Sequence, residues 1–238
     1  MRNFFRTEWA KLKPMNFTDK RQYIWEYYKL QIIAIAFGII AIVYLINTMI
    51  INPPPRDYLY LAWQGNIIHT DPLEELGERL TVITENPDRY NVAVRSYLLT
   101  GEPQMDQAII TRFFAIMHVG DLHGILTTGA NLVGLAEEGI INPVHDLLTY
   151  VEEINPELHD YLALRAPLIT FVPDIADHDG TVVTDNMGIS LHGSPLLYEL
   201  GIPTGDLYLT ITSVSDRYYE LAKALVVMFE GFDEEETA

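Results

Sequence analysis

The sequence contains no cysteine. This absence excludes disulfide bonds, thiolate metal sites and a cysteine nucleophile from the chain. Burial of apolar side chains must therefore supply most of the stability of any folded domain that the chain forms.

Basic residues are scarce, and they are placed unevenly. Residues 1–29 hold seven basic and three acidic side chains, a net charge of +4. The remaining residues hold eight basic and 30 acidic side chains, a net charge of −22. Because nucleic acids and anionic lipids are bound through basic patches, we expect no nucleic-acid partner for the acidic part.

One long apolar run separates these two parts. Residues Leu30 to Ile51 read LQIIAIAFGIIAIVYLINTMII and carry no formal charge over 22 positions. An α-helix of that length is about 33 Å long and matches the roughly 30 Å hydrocarbon core of a bilayer. The run therefore predicts a transmembrane helix over residues 30–51, with the lipid bilayer as its partner.

The flanks of this run indicate its orientation. Trp25 and Lys29 precede it, and such amphipathic side chains favour the headgroup region. Because cationic flanks stay in the cytoplasm, we predict a single-pass protein of the cell membrane with residues 1–29 inside and the acidic part outside. A cleaved signal peptide is the alternative, but its apolar core is usually 7–15 residues long and ends at a small-residue cleavage site.

The rest of the chain predicts one outer α/β domain. Residues 52–56 contain three consecutive prolines, which favour polyproline II and a short stiff spacer of about 9 Å. Residues 57–232 alternate strand and helix patterns, which predicts right-handed crossovers and a mainly parallel sheet. Residues 233–238 form an acidic tail. The predicted strands are 58–63, 91–98, 168–172, 181–184 and 207–213, with one more ending at Leu126.

The order of elements and three segments resemble a known family. The segments are DYLYLAWQGN, RSYLLTGEPQMDQAIITRFFAIMHVGDLHGILTTGANLVGLAEEGIINPVHDLL, and MGISLHGSPLLYELGI followed by LYLTITSVSDRYYELAKALVVMF. They resemble extracellular solute-binding proteins of ABC importers. The resemblance implies a periplasmic-binding-protein-like lobe, a sugar or peptide ligand, and a link to an importer or a sensor. Such proteins usually close two lobes around the ligand, whereas this chain has room for about one.

The end of the first predicted strand carries the candidate ligand-binding residues. Trp63, Gln64 and Asn66 lie where the strand meets its loop, at the edge of a parallel sheet where ligands usually bind. An indole can stack on a sugar face and the amides can bond hydroxyl groups, although a Trp that packs at the sheet edge explains the same pattern. The resemblance places a further candidate, Asp121, at the head of a strand.

The phrase Gly120-Asp121-Leu122-His123-Gly124 suggests one alternative function. It matches the GDxHG motif of metallophosphoesterases, in which the Asp and the His bind a metal ion that activates water. The further histidine and asparagine motifs that this chemistry requires do not occur later in the sequence. We therefore predict no catalytic residue, metal site or cofactor, and expect a non-catalytic module that binds a small solute weakly or a protein partner, with the phosphoesterase as the alternative.

Overall fold

The computed structural model describes residues 13–65, 69–98, 103–174 and 181–231. Contacts within the chain divide it into two compact units, residues 1–54 and 55–238. The first unit is one long helix, and the second is a mixed α/β domain.

The first unit contains helix α1, Phe17–Ile46, which continues as a π-helical turn over Asn47–Ile51. The side chain of Asn16 caps the helix by accepting a hydrogen bond from the Asp19 N–H at 2.9 Å. None of the residues of α1 is buried. Together the 35 residues form a helix that is long and apolar enough to cross a membrane. The predicted span, residues 30–51, is its second part, so the helix continues for about 20 Å on the N-terminal side.

The second unit alternates strands and helices. Its strands are Arg56–Gln64 (β1), Tyr90–Ser96 (β2), Gly124–Thr127 (β3), Ile141–Asn142 (β4), Leu168–Phe171 (β5), Val183–Asn186 (β6), Ile189–Ser190 (β7) and Tyr208–Thr212 (β8). Its helices are Thr70–Leu80 (α2), Pro103–Val119 (α3), Gly129–Glu137 (α4), His145–Ile154 (α5), Pro156–Ala163 (α6), Pro195–Glu199 (α7) and Tyr218–Met228 (α8). The strands predicted over 58–63, 91–98 and 207–213 are all present, with ends that differ by one or two residues.

The main sheet has the strand order β2-β1-β3-β8-β4, and β7 also pairs with β8. Strand β1 is parallel to both neighbours, so that Leu61 lies beside Val94 of β2 and Gly124 of β3. Strand β8 is antiparallel to β3, β4 and β7. The predicted parallel arrangement is therefore confirmed for β2-β1-β3, whereas the described sheet as a whole is mixed because β8 runs against it.

Strand β8 occupies an interior position in the sheet, between β3 and β4, and both of its faces are buried. Leu209 and Ile211 on one face, and Thr210 and Thr212 on the other, have no exposed surface. The Thr212 hydroxyl donates to the Leu122 carbonyl, and the Thr210 hydroxyl donates to a carbonyl of β3. These bonds satisfy the polar groups that a doubly covered strand removes from water.

Successive side chains of β1 enter two different core layers. Leu59, Leu61 and Trp63 pack with α2, α5, α6 and α8 on one face of the sheet. Tyr60 and Ala62 pack with α3 and α4 on the other face. Strands β5 and β6 form a separate antiparallel pair.

Candidate functional site

The connections of the parallel strands define one edge of the sheet as a place for a ligand. The chain leaves β1 through α2 to reach β2 on one side, and returns through α3 to reach β3 on the other side. The carboxyl ends of β1 and β3 therefore flank a topological switch point, where open α/β sheets usually bind ligands. Gln64 and Thr127 are paired in register at this edge.

A cleft of about 840 Å³ opens at this edge. Its walls come mainly from α3 and α4, and its size is that of an ordinary small-molecule pocket. The residues that line it are Gln64, Gly65, Tyr97, Leu98, Ile109, Ile110, Phe113, Phe114, Thr128, Ala130, Asn131, Gly134, Leu135, Glu138 and Ile140. Most of these side chains are apolar, so the cleft favours a ligand with a substantial apolar part.

One wall is aromatic and firmly held. The Tyr97 ring meets Phe113 edge-on with centroids 5.5 Å apart, and Phe113 meets Phe114 at 5.6 Å. The hydroxyl oxygens of Tyr97 and Tyr60 are 2.7 Å apart, and both side chains are buried. Burial, followed by the hydrogen bond to Tyr60, raises the pKa of Tyr97, so this hydroxyl stays neutral at physiological pH. The wall is therefore built from uncharged aromatic side chains, of which Phe114 is the exposed one.

The start of α4 forms a polar end of the cleft. The Asp206 carboxylate accepts the Gly129 N–H at 3.1 Å, and the Asn131 side-chain amide donates to the Gln64 carbonyl at 3.2 Å. These bonds hold the first turn of α4 against the end of β1. Gln64 and Asn131 both line the cleft, and side-chain amides can both donate and accept hydrogen bonds.

A buried hydroxyl lies in the sheet beside this end of the cleft. Thr127 has no exposed surface, and its Oγ1 has no hydrogen-bond partner among the described residues. Because Thr127 lies directly beside Gln64 in parallel register, the two side chains project from the same face of the sheet. Buried polar atoms without partners are uncommon in native proteins. Thr127 is not among the residues that line the cleft, so its hydroxyl belongs to the sheet beside the cleft and not to the cleft wall.

Trp63 does not lie in this cleft, and its predicted role is corrected. Its side chain is 1% exposed and belongs to the core layer on the opposite face of the sheet. Successive strand residues point to opposite faces, so Trp63 and Gln64 cannot line one pocket. A Cβ at Gly65 would lie 2.6 Å from Trp63 Cζ2, so the backbone at the cleft rests directly on the ring. The indole supports the cleft from behind and presents no face to a sugar.

The other two predicted site residues are not brought to the cleft. Asn66 lies outside the described residues. Asp121 is exposed and precedes β3 by three residues, at the amino edge of the sheet, whereas Gln64 ends β1 at the carboxyl edge. Asp121 and Thr127 are six positions apart, which corresponds to about 20 Å of extended chain. Asp121 and Gln64 therefore cannot share one small ligand.

His123, of the phosphoesterase-like phrase, has a structural contact. Its buried ring accepts the Tyr60 N–H at Nδ1 over 2.9 Å, and its own backbone N–H donates to the Tyr60 carbonyl. Burial and the nearby Arg217 guanidinium lower the pKa of His123, so the ring is neutral and carries its proton on Nε2. Within the described ranges, no group of three or more His, Asp or Glu is placed to hold a metal ion. These bonds with Tyr60 hold the start of β3 beside β1. They already occupy the Nδ1 atom of His123.

Several cleft residues were not predicted from the sequence, above all Tyr97, Phe113 and Asn131. One signal was present in the sequence of α3, where Phe113 and Phe114 are adjacent and a helix cannot bury neighbouring positions on one face. In the structure Phe113 is buried, whereas Phe114 is 37% exposed. The adjacent Phe114 therefore indicated an apolar surface outside the core.

Comparison with known proteins adds nothing to this geometry, since no family model, curated protein or solved structure matches the chain. The resemblance to solute-binding proteins therefore stays a prediction. The class that the structure itself defines is a mixed α/β domain with a cleft at a topological switch point, preceded by one long apolar helix.

Proposed function

We propose that this protein is a membrane-anchored, non-catalytic recognition module whose cleft between α3 and α4 captures the apolar part of a solute or of a partner segment. The observation that carries the proposal is the cleft itself, at the carboxyl ends of β1 and β3, with aromatic walls and an amide-bearing end. This combination of apolar walls and a few convergent polar groups is typical of binding sites.

The membrane part of the proposal rests on the N-terminal helix and on charge. The helix Phe17–Ile51 has the length and composition of a span, and the +4 charge of residues 1–29 favours a cytoplasmic N-terminus. The domain from residue 57 onward is then outside the cell. The resemblance to solute-binding proteins extends the proposal to an accessory role beside an ABC importer or a sensor.

The proposed binding is weak because the described domain provides a single lobe, and a second lobe would be needed to enclose the ligand. The second unit contains one main sheet with its two helical layers, which supports a single lobe. Two-lobe sites bury most of the ligand surface, and an open cleft leaves part of it in water. We expect dissociation constants of about 0.1–1 mM, which correspond to roughly −4 to −5.5 kcal/mol.

The test fills the cleft without disturbing the fold. A Cβ at Gly134 would meet no heavy atom within 4 Å, and leucine is a better helix former than glycine. The full chain in neutral-lipid nanodiscs is titrated by calorimetry with amphipathic peptides and oligosaccharides, as wild type and as Gly134→Leu. Ala115→Leu, on an exposed position of α3 outside the cleft, is the matched control.

Binding that is lost in Gly134→Leu and kept in Ala115→Leu supports the proposal. The proposal is refuted if Gly134→Leu binds as well as wild type, or if no member of the panel binds. Submicromolar binding by the monomer would contradict the expectation that a single lobe binds its ligand weakly.

A further inference from the structure

The charge of the cleft selects among ligands. Of the described residues that line it, Glu138 is the one with a formal charge, and none is basic. Arg112 lies 5.9 Å from the centroid of the Tyr97 ring but is not part of the lining. The chain after residue 29 carries a net charge of −22. The single charge in the lining and the net charge of the chain therefore favour a cationic group near Glu138, whereas the Arg112 guanidinium acts against one near Tyr97.

The polar groups of the cleft lie at its two ends. Thr128 and Asn131 mark the first turn of α4, and Glu138 is its C-cap residue. Thr128 and Glu138 are ten positions apart, or about 15 Å along the helix axis. Gly134 and Leu135 lie between these ends and line the cleft. The groove thus has an uncharged hydrogen-bonding end, an apolar middle and an acidic end.

This spacing fits an extended peptide. About 15 Å corresponds to four or five residues of extended chain. Peptide groups both donate and accept hydrogen bonds, as the side-chain amides of Gln64 and Asn131 also do. Apolar side chains of such a segment can pack on Phe113, Phe114 and Leu135. A sugar suits the middle of the groove poorly, because its hydroxyl groups would lose water there without gaining partners.

We propose that the cleft binds an extended peptide segment of about four or five residues, with apolar side chains along the groove and a Lys or Arg at the Glu138 end. The inference rests on the proposed function and specifies its ligand class. Glu138 is exposed, so its contribution is a charge preference that salt weakens, while the apolar groove supplies most of the affinity.

The experiment separates charge from apolar contact. The full chain in phosphatidylcholine nanodiscs is titrated with three fluorescent acetylated pentapeptide amides that share the core Phe-Leu-Phe-Leu and end in Lys, Gln or Glu. At low salt we expect affinities in the order Lys, Gln, Glu, with about fivefold to tenfold between the extremes. In 0.5 M NaCl the spread should fall to about twofold or less.

Variants assign the preference to one carboxylate. Glu138→Gln should remove most of the difference between the Lys and Glu peptides, and Glu138→Lys should reverse it. Glu137→Gln removes the same charge at the neighbouring position, which does not line the cleft, and should keep the preference. Gly134→Leu should abolish binding of all three peptides. Circular dichroism checks that each variant keeps the fold.

The outcomes distinguish this inference from the proposed function. Equal binding of the three peptides that is lost in Gly134→Leu would overturn the charge inference and leave the function standing. A Lys preference that survives Glu138→Gln would refute the assignment to Glu138. If no peptide binds while oligosaccharides of the broader panel do, the peptide class is wrong. Peptide binding unaffected by Gly134→Leu would overturn both.

Discussion

Replacement of His123 tests the contact that holds β1 beside the start of β3. In His123→Ala the buried Tyr60 N–H loses its acceptor at Nδ1, which costs about 1–3 kcal/mol. The lost packing of the ring adds roughly 1 kcal/mol more. We expect a total loss of about 2–4 kcal/mol. For a domain of this size, that loss lowers the thermal midpoint by about 5–15 °C.

His123→Asn is the matched variant, because its Oδ1 can take the place of the ring Nδ1 as acceptor but does not titrate. It should cost only about 1 kcal/mol. Thermal and urea unfolding of the full chain in detergent, followed by circular dichroism, measures both variants. Equal destabilisation by alanine and asparagine would show that the hydrogen bond is not what stabilises this contact.

The same pair of proteins tests the titration of His123. Burial and Arg217 lower its pKa in the folded state, while Asp121, Asp216 and Glu220 act in the opposite direction. As the pH falls below the ordinary value of 6.5, the unfolded state takes up a proton that the folded state does not, so stability falls. The slope is at most about 1.4 kcal/mol per pH unit for one proton, and it ends at the folded-state pKa.

Relative to wild type, His123→Asn should therefore lose less stability between pH 6.5 and 5, because the other titrating groups are common to both. Above pH 7 the stability difference between the two proteins should be constant. Parallel pH profiles over the whole range would refute a lowered pKa for this ring.

Three further outcomes test other parts of the account. Gly65→Ala should destabilise the domain by about 1–3 kcal/mol, measured by thermal unfolding, because its Cβ would lie 2.6 Å from the Trp63 ring. Protease added to wall-free cells should digest residues 57–238 and spare residues 1–29; an intact outer domain released into the medium would contradict the anchor. Manganese, zinc or iron should support no phosphodiesterase activity, and metal-dependent turnover lost in Asp121→Asn would make the protein an enzyme.

Much of the local structure could be predicted from the sequence, because local structure depends on neighbouring residues. The uncharged run over residues 30–51 is part of a long apolar helix. Ser194 caps α7, as Ser-Pro at a helix start indicates, and Gly201 ends it with a positive φ of 68°. The alternating pattern over 207–213 is strand β8. Periodicity, caps and breakers act within a few residues and need no tertiary context.

The candidate site was predictable only in its location. Gln64 lies at the carboxyl edge of β1 and lines the cleft, as the rule for parallel sheets anticipates. The partner residues could not be found in the same way, because Asn131 and Phe113 are 67 and 49 positions further along the chain. Nothing in a single sequence states which helix face will oppose which strand end.

What the sequence by itself determined is therefore most of the elements, the apolar N-terminal helix and the edge of the sheet at which the cleft opens. The tertiary structure alone decided that β8 enters the sheet antiparallel between β3 and β4, since an alternating pattern carries no direction. It also decided which face of β1 borders the cleft, and so made Trp63 a core residue and Gln64 a lining residue. The local sequence pattern is compatible with a cleft on either face of the end of β1. Only the packing of α3 and α4 on one face decides which face borders the cleft.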